Sequence, residues 1–259
     1  MTLDIPRCVL AALWAADLGE QPTPAAVQVA AEVLAGDDQR SPRAEGADEA
    51  SLLHRVAGAP VLALLPAPGE PAGLGPPAGP FAVEAGEALL SGPPAGAQGV
   101  LQIAVPQVQA FGSHVEPGAL VDWQTWSEPT SGTAWVPPLI SLSEARADLA
   151  EALNVAIEAL TAIDVARWRE DAAEEIAMLA DNDLPEAIAG RVPPGLGTRH
   201  AQILGRAVRL QAIVALAEED DGAAVNLWQA DQRTAALRHV ATAARRALMA
   251  LSVSGFDGR

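Results

Sequence analysis

The residues with the clearest chemical potential are basic and sit in a window free of acids. Arg191, Arg199, Arg206 and Arg209, with His200, fall between Ala187 and Ala217, where no Asp or Glu occurs although the chain carries 33 acidic residues against 16 basic ones. On a helix, Arg199, Gln202, Arg206 and Arg209 share one face. That face begins beside Gly195 and Gly197, where free N–H groups and the helix dipole already favour an anion. A second acid-free stretch runs between Gln232 and Phe256, and its Arg238, Thr242 and Arg245 also share a helical face. Guanidinium groups recognise carboxylate and phosphate through paired donors. Arg199, His200, Arg206, Arg209, Arg238 and Arg245 therefore describe a site for a small anionic ligand or for an acidic segment of a partner. The simpler alternative is that these side chains pair with acidic helices of their own domain, each exposed pair contributing only about 0–1 kcal/mol.

The second chemical feature is aromatic. Trp123, Trp126 and Trp135, half of the six tryptophans, lie within thirteen residues beside Pro129, Pro137 and Pro138. Trp123 and Trp126 are separated by an odd number, so on a regular strand they face opposite sides of the sheet. An exposed Trp at a sheet rim would anchor a protein partner, whereas a Trp turned inward belongs to the core. Pro68-Gly-Glu-Pro71 and Pro77-Ala-Gly-Pro80 have the spacing of polyproline ligands, set in loops that also read as plain connections over a sheet edge.

Composition removes many enzyme classes. The chain contains no Lys, so it cannot build a P-loop NTPase, a Schiff-base pyridoxal phosphate enzyme or a protein kinase. The single Cys8 forms no intrachain disulfide and no multi-cysteine metal or iron–sulfur site. Its place on a leading apolar helix reads as packing rather than reactivity. His54, His114, His200 and His239 are too far apart for a helical metal pair, and His114-Val-Glu116 with Asp122 is too common a combination to indicate a metal centre. No Gly-x-Ser-x-Gly elbow occurs, and Gly195-Leu-Gly197 lacks both the third glycine and the preceding strand of a dinucleotide site. No catalytic residue, metal or cofactor is expected. The net charge of −17 disfavours nucleic acid and anionic membrane surfaces, since both are bound through basic residues. The run Val9–Ala16 is far shorter than the roughly 20 residues of a membrane span and lacks the cationic start of a signal peptide. The expected compartment is the cytoplasm, and the Lys-free, Ala-, Arg-, Gly- and Pro-rich composition suggests a GC-rich bacterial genome.

These residues must be positioned by two regions of different texture. The first 138 residues hold 18 of 21 Pro and 15 of 22 Gly, so long helices are possible only afterwards. Helices are predicted over Pro6–Leu18, Pro24–Leu34 and Asp48–Val56, with a short one over Phe81–Leu90. Strands are predicted at 60–66, around Leu101, Ile103 and Val105, over Ala119–Trp126 and at Thr133–Val136. After residue 138, Ser141-Leu-Ser-Glu144 is a capping box opening a helix to Ile163 with an inward stripe of Leu142, Ala145, Leu149 and Leu153. Further helices are predicted over Asp164–Ala180, Thr198–Glu219 and Ala223–Leu251, the last with Leu237, Val240, Ala244, Leu248 and Leu251 inward.

The expected fold is α+β: a small β-sheet with flanking helices over residues 1–138, followed by an all-α C-terminal four-helix bundle over 139–259. The functional expectation is a nonenzymatic protein-binding or regulatory module, with the Arg faces and the Trp/Pro segment as contact surfaces. The alternative is an anionic-ligand sensor, or an enzyme without a motif, with its site at Arg199, His200 and Arg238.

Overall fold

Helix α1 (Arg7–Leu18) is apolar around its whole circumference, and every residue from Cys8 to Ala15 is buried, as expected of a helix at the centre of a domain. A computed structural model describes residues 3–40, 46–70, 72–93, 98–113, 117–131, 140–163, 183–219 and 227–253. Around α1 pack α2 (Pro24–Ala35) and α3 (Glu49–Val56). Each opens on a side-chain cap: Ala26 N–H donates to Thr23 Oγ1 at 3.2 Å, and Ser51 N–H to Asp48 Oδ1 at 2.7 Å. Helix α1 lacks such a cap. Its N–H at Cys8 donates instead to Oε2 of Glu87, 2.8 Å away and 79 residues later in the chain.

The sheet combines β1 (Gln39–Arg40), β2 (Val61–Leu64), β3 (Ala88–Ser91), β4 (Gln98–Gly112) and β5 (Pro117–Ser131) in the order β1-β5-β4-β3-β2. The last four form an antiparallel sheet, to which the two residues of β1 add in parallel at Leu120 and Val121. Strand β2 is buried on both faces, which explains its uninterrupted apolar sequence. Its outer edge is closed at Ala63, whose N–H donates to Ser252 Oγ at 2.9 Å while the same hydroxyl donates to the Ala63 carbonyl.

One predicted element is corrected here. The helix expected over Phe81–Leu90 is α4 (Ala78–Ala85), closed by Gly86 in the left-handed conformation at φ 72°. Leu89 and Leu90 belong to the buried strand β3 instead. A short apolar run beside a glycine reads alike as helix end or core strand, and Gly86 is the stop signal that decides it. Pro80 falls inside α4, and Ala67 and Glu70 close a tight turn by exchanging two backbone hydrogen bonds. The Pro77–Pro80 segment is therefore not a polyproline helix. The strand predicted at Thr133–Val136 lies outside the described residues.

After residue 140 the described structure is helical: α5 (Leu142–Ile163), α6 (Glu186–Ala189), α7 (Thr198–Glu219) and α8 (Leu227–Leu251). The capping box forms as spaced, with Glu144 N–H donating to Ser141 Oγ at 3.2 Å and Ser141 N–H to Glu144 Oε2 at 2.7 Å. The latter bond holds the Glu144 carboxyl below its ordinary pKa. Helices α5 and α7 both pack along α8, whose Val240, Ala243, Ala244, Ala247 and Leu248 are buried. Small side chains at those positions allow close helix approach. The helix predicted over Asp164–Ala180, needed for a four-helix bundle, lies outside the described residues. No helix among the described residues is long and apolar enough to cross a membrane.

The chain divides into two compact units, one holding Met1–Ile5, Ile140–Gly190 and Gly197–Leu251, the other Pro6–Leu139, Arg191–Leu196 and Ser252–Arg259. The return of Arg191–Leu196 to the sheet-bearing unit has a visible cause. The indole N–H of buried Trp14 donates to the Arg191 carbonyl at 2.9 Å.

Candidate protein-binding surface

Strands β4 and β5 pair over fifteen residues each, from Gln98↔Ser131 to Gly112↔Pro117, in one unbroken register. Directly opposed residues of an antiparallel pair share a face. One face of this ribbon carries Pro106, Trp123, Val121 and Val108. The other carries Ile103, Trp126, Gln107, Asp122 and Phe111, so Trp123 and Trp126 do lie on opposite sides.

Trp123 is fully buried, and its indole N–H donates to Glu49 Oε1 of α3 at 3.3 Å. Beside it the β5 edge is closed by Ala47, which exchanges backbone hydrogen bonds with Trp123 at 2.9 and 3.2 Å. Gly46 N–H adds a bond to Asp122 Oδ2 at 3.1 Å. Trp126 is half-buried and stacks on Phe81 of α4, ring centroids 5.3 Å apart and tilted by 36°. The tryptophan pair thus staples the ribbon base to a helix on each face. Trp135 lies outside the described residues.

The other end of the ribbon emerges from this packing. Strand β3 pairs with β4 only as far as Ala104, and β1 reaches only Leu120 and Val121 of β5. Ile103 to Pro106 are buried, Gln107 is half-buried, and Val108 to Gly112 are exposed. Val108 is 50% and Phe111 43% accessible, values that matter because no charged residue lies anywhere in β4. Phe111 lies across the strand from Gly118, where an added Cβ would come within 2.5–2.9 Å of three ring atoms. Glycine at 118 lets the ring lie flat on the partner strand, which fixes the register near the tip. The sequence signal for this surface is the charge-free alternation of Gln107-Val-Gln-Ala-Phe111, which strand periodicity alone reads as another half-buried segment.

Of the basic residues singled out above, Arg191 belongs to the sheet-bearing unit and the others to the helical unit. Arg199 in the first turn of α7 and Arg238 on α8 are exposed, His200, Arg206 and Arg245 are half-buried, and Arg209 is 4% exposed. The predicted face of α7 therefore grades from solvent to interior along its length. Arg206, Arg209 and Arg245 engage other groups of the protein, and Arg245 Nη2 donates to Thr242 Oγ1 at 3.3 Å. Gly205 leaves room for this arrangement: a Cβ there would lie 3.1 Å from the Asp183 carbonyl oxygen and 3.4 Å from Arg209 Nη1. Burial, and secondarily the charge of Arg199, depress the His200 pKa below its ordinary value. His200 is therefore neutral at physiological pH and adds no charge to an anion site. Among the described residues no group of three His, Cys, Asp or Glu converges as a metal site would require.

The buried thiol of Cys8 completes the survey. It lies within hydrogen-bond reach of the Glu87 carboxylate, and burial together with that negative charge pushes its pKa well above the ordinary thiol value. It is a protonated core residue.

No curated protein and no solved structure matches this chain. Residues 8–138 match the N-terminal domain of Rv1486c-like proteins and residues 143–249 match their C-terminal domain. With both domain models matched in order and together covering most of its length, the chain belongs to the Rv1486c-like protein family.

Proposed function

We infer that the protein is a nonenzymatic protein-binding module of the cytoplasm, and that its contact surface is the distal half of the β4–β5 ribbon. The observation that carries this reading is the exposure of Val108 and Phe111 on a charge-free strand. That strand's outer edge has no partner beyond Ala104 among the described residues. A strand with open N–H and C=O groups and apolar side chains is a template for pairing with another chain. Two further features support it. A chain with neither Lys nor a second Cys excludes several catalytic routes, and Trp123 and Trp126 secure the ribbon base so that its tip is presented on a rigid support. Presentation on a pre-ordered element lowers the entropic cost of association.

The test is position-specific photo-crosslinking in cells. A photoreactive phenylalanine analogue at Val108 or Phe111 should yield discrete adducts with protein. The same analogue at Val29, an equally exposed apolar position on α2, should yield none. Absence of adducts from both ribbon positions, or the same adducts from Val29, would overturn the reading.

A further inference from the structure

The two domains of the family follow one another in sequence, at 8–138 and 143–249, but the compact units of the fold interleave. The sheet-bearing unit takes Arg191–Leu196 from within the C-terminal half and Ser252–Arg259 from its end. Each insertion is tied by hydrogen bonds to the layer in which α1 packs along β2. On α1, the indole N–H of Trp14, a residue 7% exposed, donates to the Arg191 carbonyl at 2.9 Å. One turn farther along the helix, Asp17 Oδ1 lies so close to Gly195 that a Cβ there would overlap the carboxylate. Between these two attachment points Pro193 is buried, and the Leu196 N–H closes a turn on the Pro193 carbonyl at 3.1 Å. On β2, the buried Ser252 hydroxyl accepts the Ala63 N–H at 2.9 Å and donates to the Ala63 carbonyl, so one side chain stands in for a neighbouring strand. Ala63 is itself fully buried, where an unpaired backbone group is costly.

We propose that these two segments are straps by which the C-terminal half completes the sheet-bearing domain, so that residues 8–138 are not a self-sufficient module. Their place in the chain suits the role. Arg191–Leu196 leads into α7 and Ser252 directly follows α8, so each strap is a short connection that docks where an ordinary connection would run over the surface. Pro193 and Pro194 lower the entropy lost when the first strap is fixed. Hydrogen-bond accounting gives the direction of the dependence. Without the straps, the Trp14 indole N–H and both outward backbone groups of Ala63 lose the partners that satisfy them, and the β2 edge becomes an open template. The other end of α1 has no such need, because Glu87 caps it at Cys8 from within the N-terminal half. What the C-terminal half supplies is therefore confined to the last turns of α1 and the outer edge of β2.

The experiment is amide hydrogen exchange by NMR on the full chain, in the parent and in Trp14→Phe, Ser252→Ala and the double variant. Each substitution keeps most of the side-chain volume and removes the hydrogen bonds of one strap. In the double variant the amides of Leu90 and Ile103, central sheet positions that bond to neither strap, should exchange at least ~10-fold faster. Each single variant should give a smaller rise at the same two amides, which keeps the test informative if the double variant does not fold. Ser127→Ala removes an exposed hydroxyl bonded to Gln102 on the same sheet at 2.8 Å and should leave both amides at the parent rate. Acceleration confined to Ala63 and the Arg191–Leu196 segment makes the straps peripheral and overturns the proposal. So does acceleration at Val240 and Ala244 of α8 with Leu90 and Ile103 unchanged, since the segments would then support the helical unit instead. An equal rise in Ser127→Ala would overturn it as well.

Discussion

The alkaline stability of this protein should be governed by one atom. The chain has no Lys and no Tyr, the two side chains whose titration near pH 10 ordinarily blurs the alkaline limb of a stability profile. Only Cys8 remains to ionise between the α-amino group and Arg. In the folded state its pKa is raised well above 9.0 by burial first and by the Glu87 charge second. When the unfolded thiol titrates and the folded one does not, the unfolded state loses a proton that the native state keeps, so stability falls as pH rises. The contribution is fully present below pH 9 and is lost above it, up to the folded pKa. The loss begins as the unfolded thiol ionises near its ordinary value of 9.0 and deepens with pH until the raised folded pKa is reached. Urea unfolding followed by tryptophan fluorescence, at a series of pH values with a phosphine reductant, measures it directly. Cys8→Ala should start from a lower stability, because it opens a small cavity in α1, and should then show no slope over the same range. A parent protein with a flat alkaline limb, or a Cys8→Ala variant with the same slope, would refute the burial argument.

Three other perturbations follow from the same geometry. Glu87→Ala removes the carboxylate that caps α1 at Cys8 and leaves a buried N–H without its acceptor, a loss of about 2–3 kcal/mol in denaturant unfolding; Glu87→Gln keeps an acceptor and should lose less than half of that. Gly46→Ala drives a methyl group into the Trp123 carbonyl oxygen and Asp122 Oδ1, and should lower stability by about 1–3 kcal/mol, read as a lower melting temperature. His200 should titrate below its ordinary value by NMR because burial disfavours its charged form, and Arg199→Ala should move that midpoint part of the way back up.

What could be read from residues alone was local. The first three helices announce themselves through Pro6, Pro24 and Asp48, and their observed bounds fall within a residue or two of expectation. The Ser141–Glu144 box forms bond for bond. Failures occur where a distant contact decides. Leu89 and Leu90 are strand rather than helix because β2 and β4 flank them, and nothing within ten residues states that. The capping of α1 by Glu87, the closure of β2 by Ser252 and the anchoring of Arg191 by Trp14 all join positions at least 79 residues apart. The tryptophan segment was legible as a feature and ambiguous as a role. Trp123 is core because α3 arrives over it with Glu49 in hydrogen-bond range, a placement that depends on the sheet order.

That ambiguity explains why the proposed binding surface lies beside the tryptophans rather than on Trp123. A hot-spot aromatic needs a rigid base, and here the largest aromatics supply the base: Trp123 is locked to α3 and Trp126 to Phe81. The proposed contact residues are then the smaller Val108 and Phe111 on the paired strand β4, past Pro106, where no charge occurs. The basic helices are the contrasting case. Arg209 is buried, Arg206 and Arg245 are engaged within the protein, and burial lowers the His200 pKa, so among the described residues the exposed cations there are Arg199, Arg238 and Arg246. Exposed guanidinium groups on a chain of net charge −17 are attractive to an anion mainly at low ionic strength, since surface charges are screened beyond about 8–10 Å in physiological salt. An uncharged strand edge is indifferent to salt, because its affinity comes from backbone pairing and apolar cover. Association through the ribbon should therefore hold when salt is raised, whereas association through the Arg faces should weaken. The sign of that dependence separates the two surfaces in one titration.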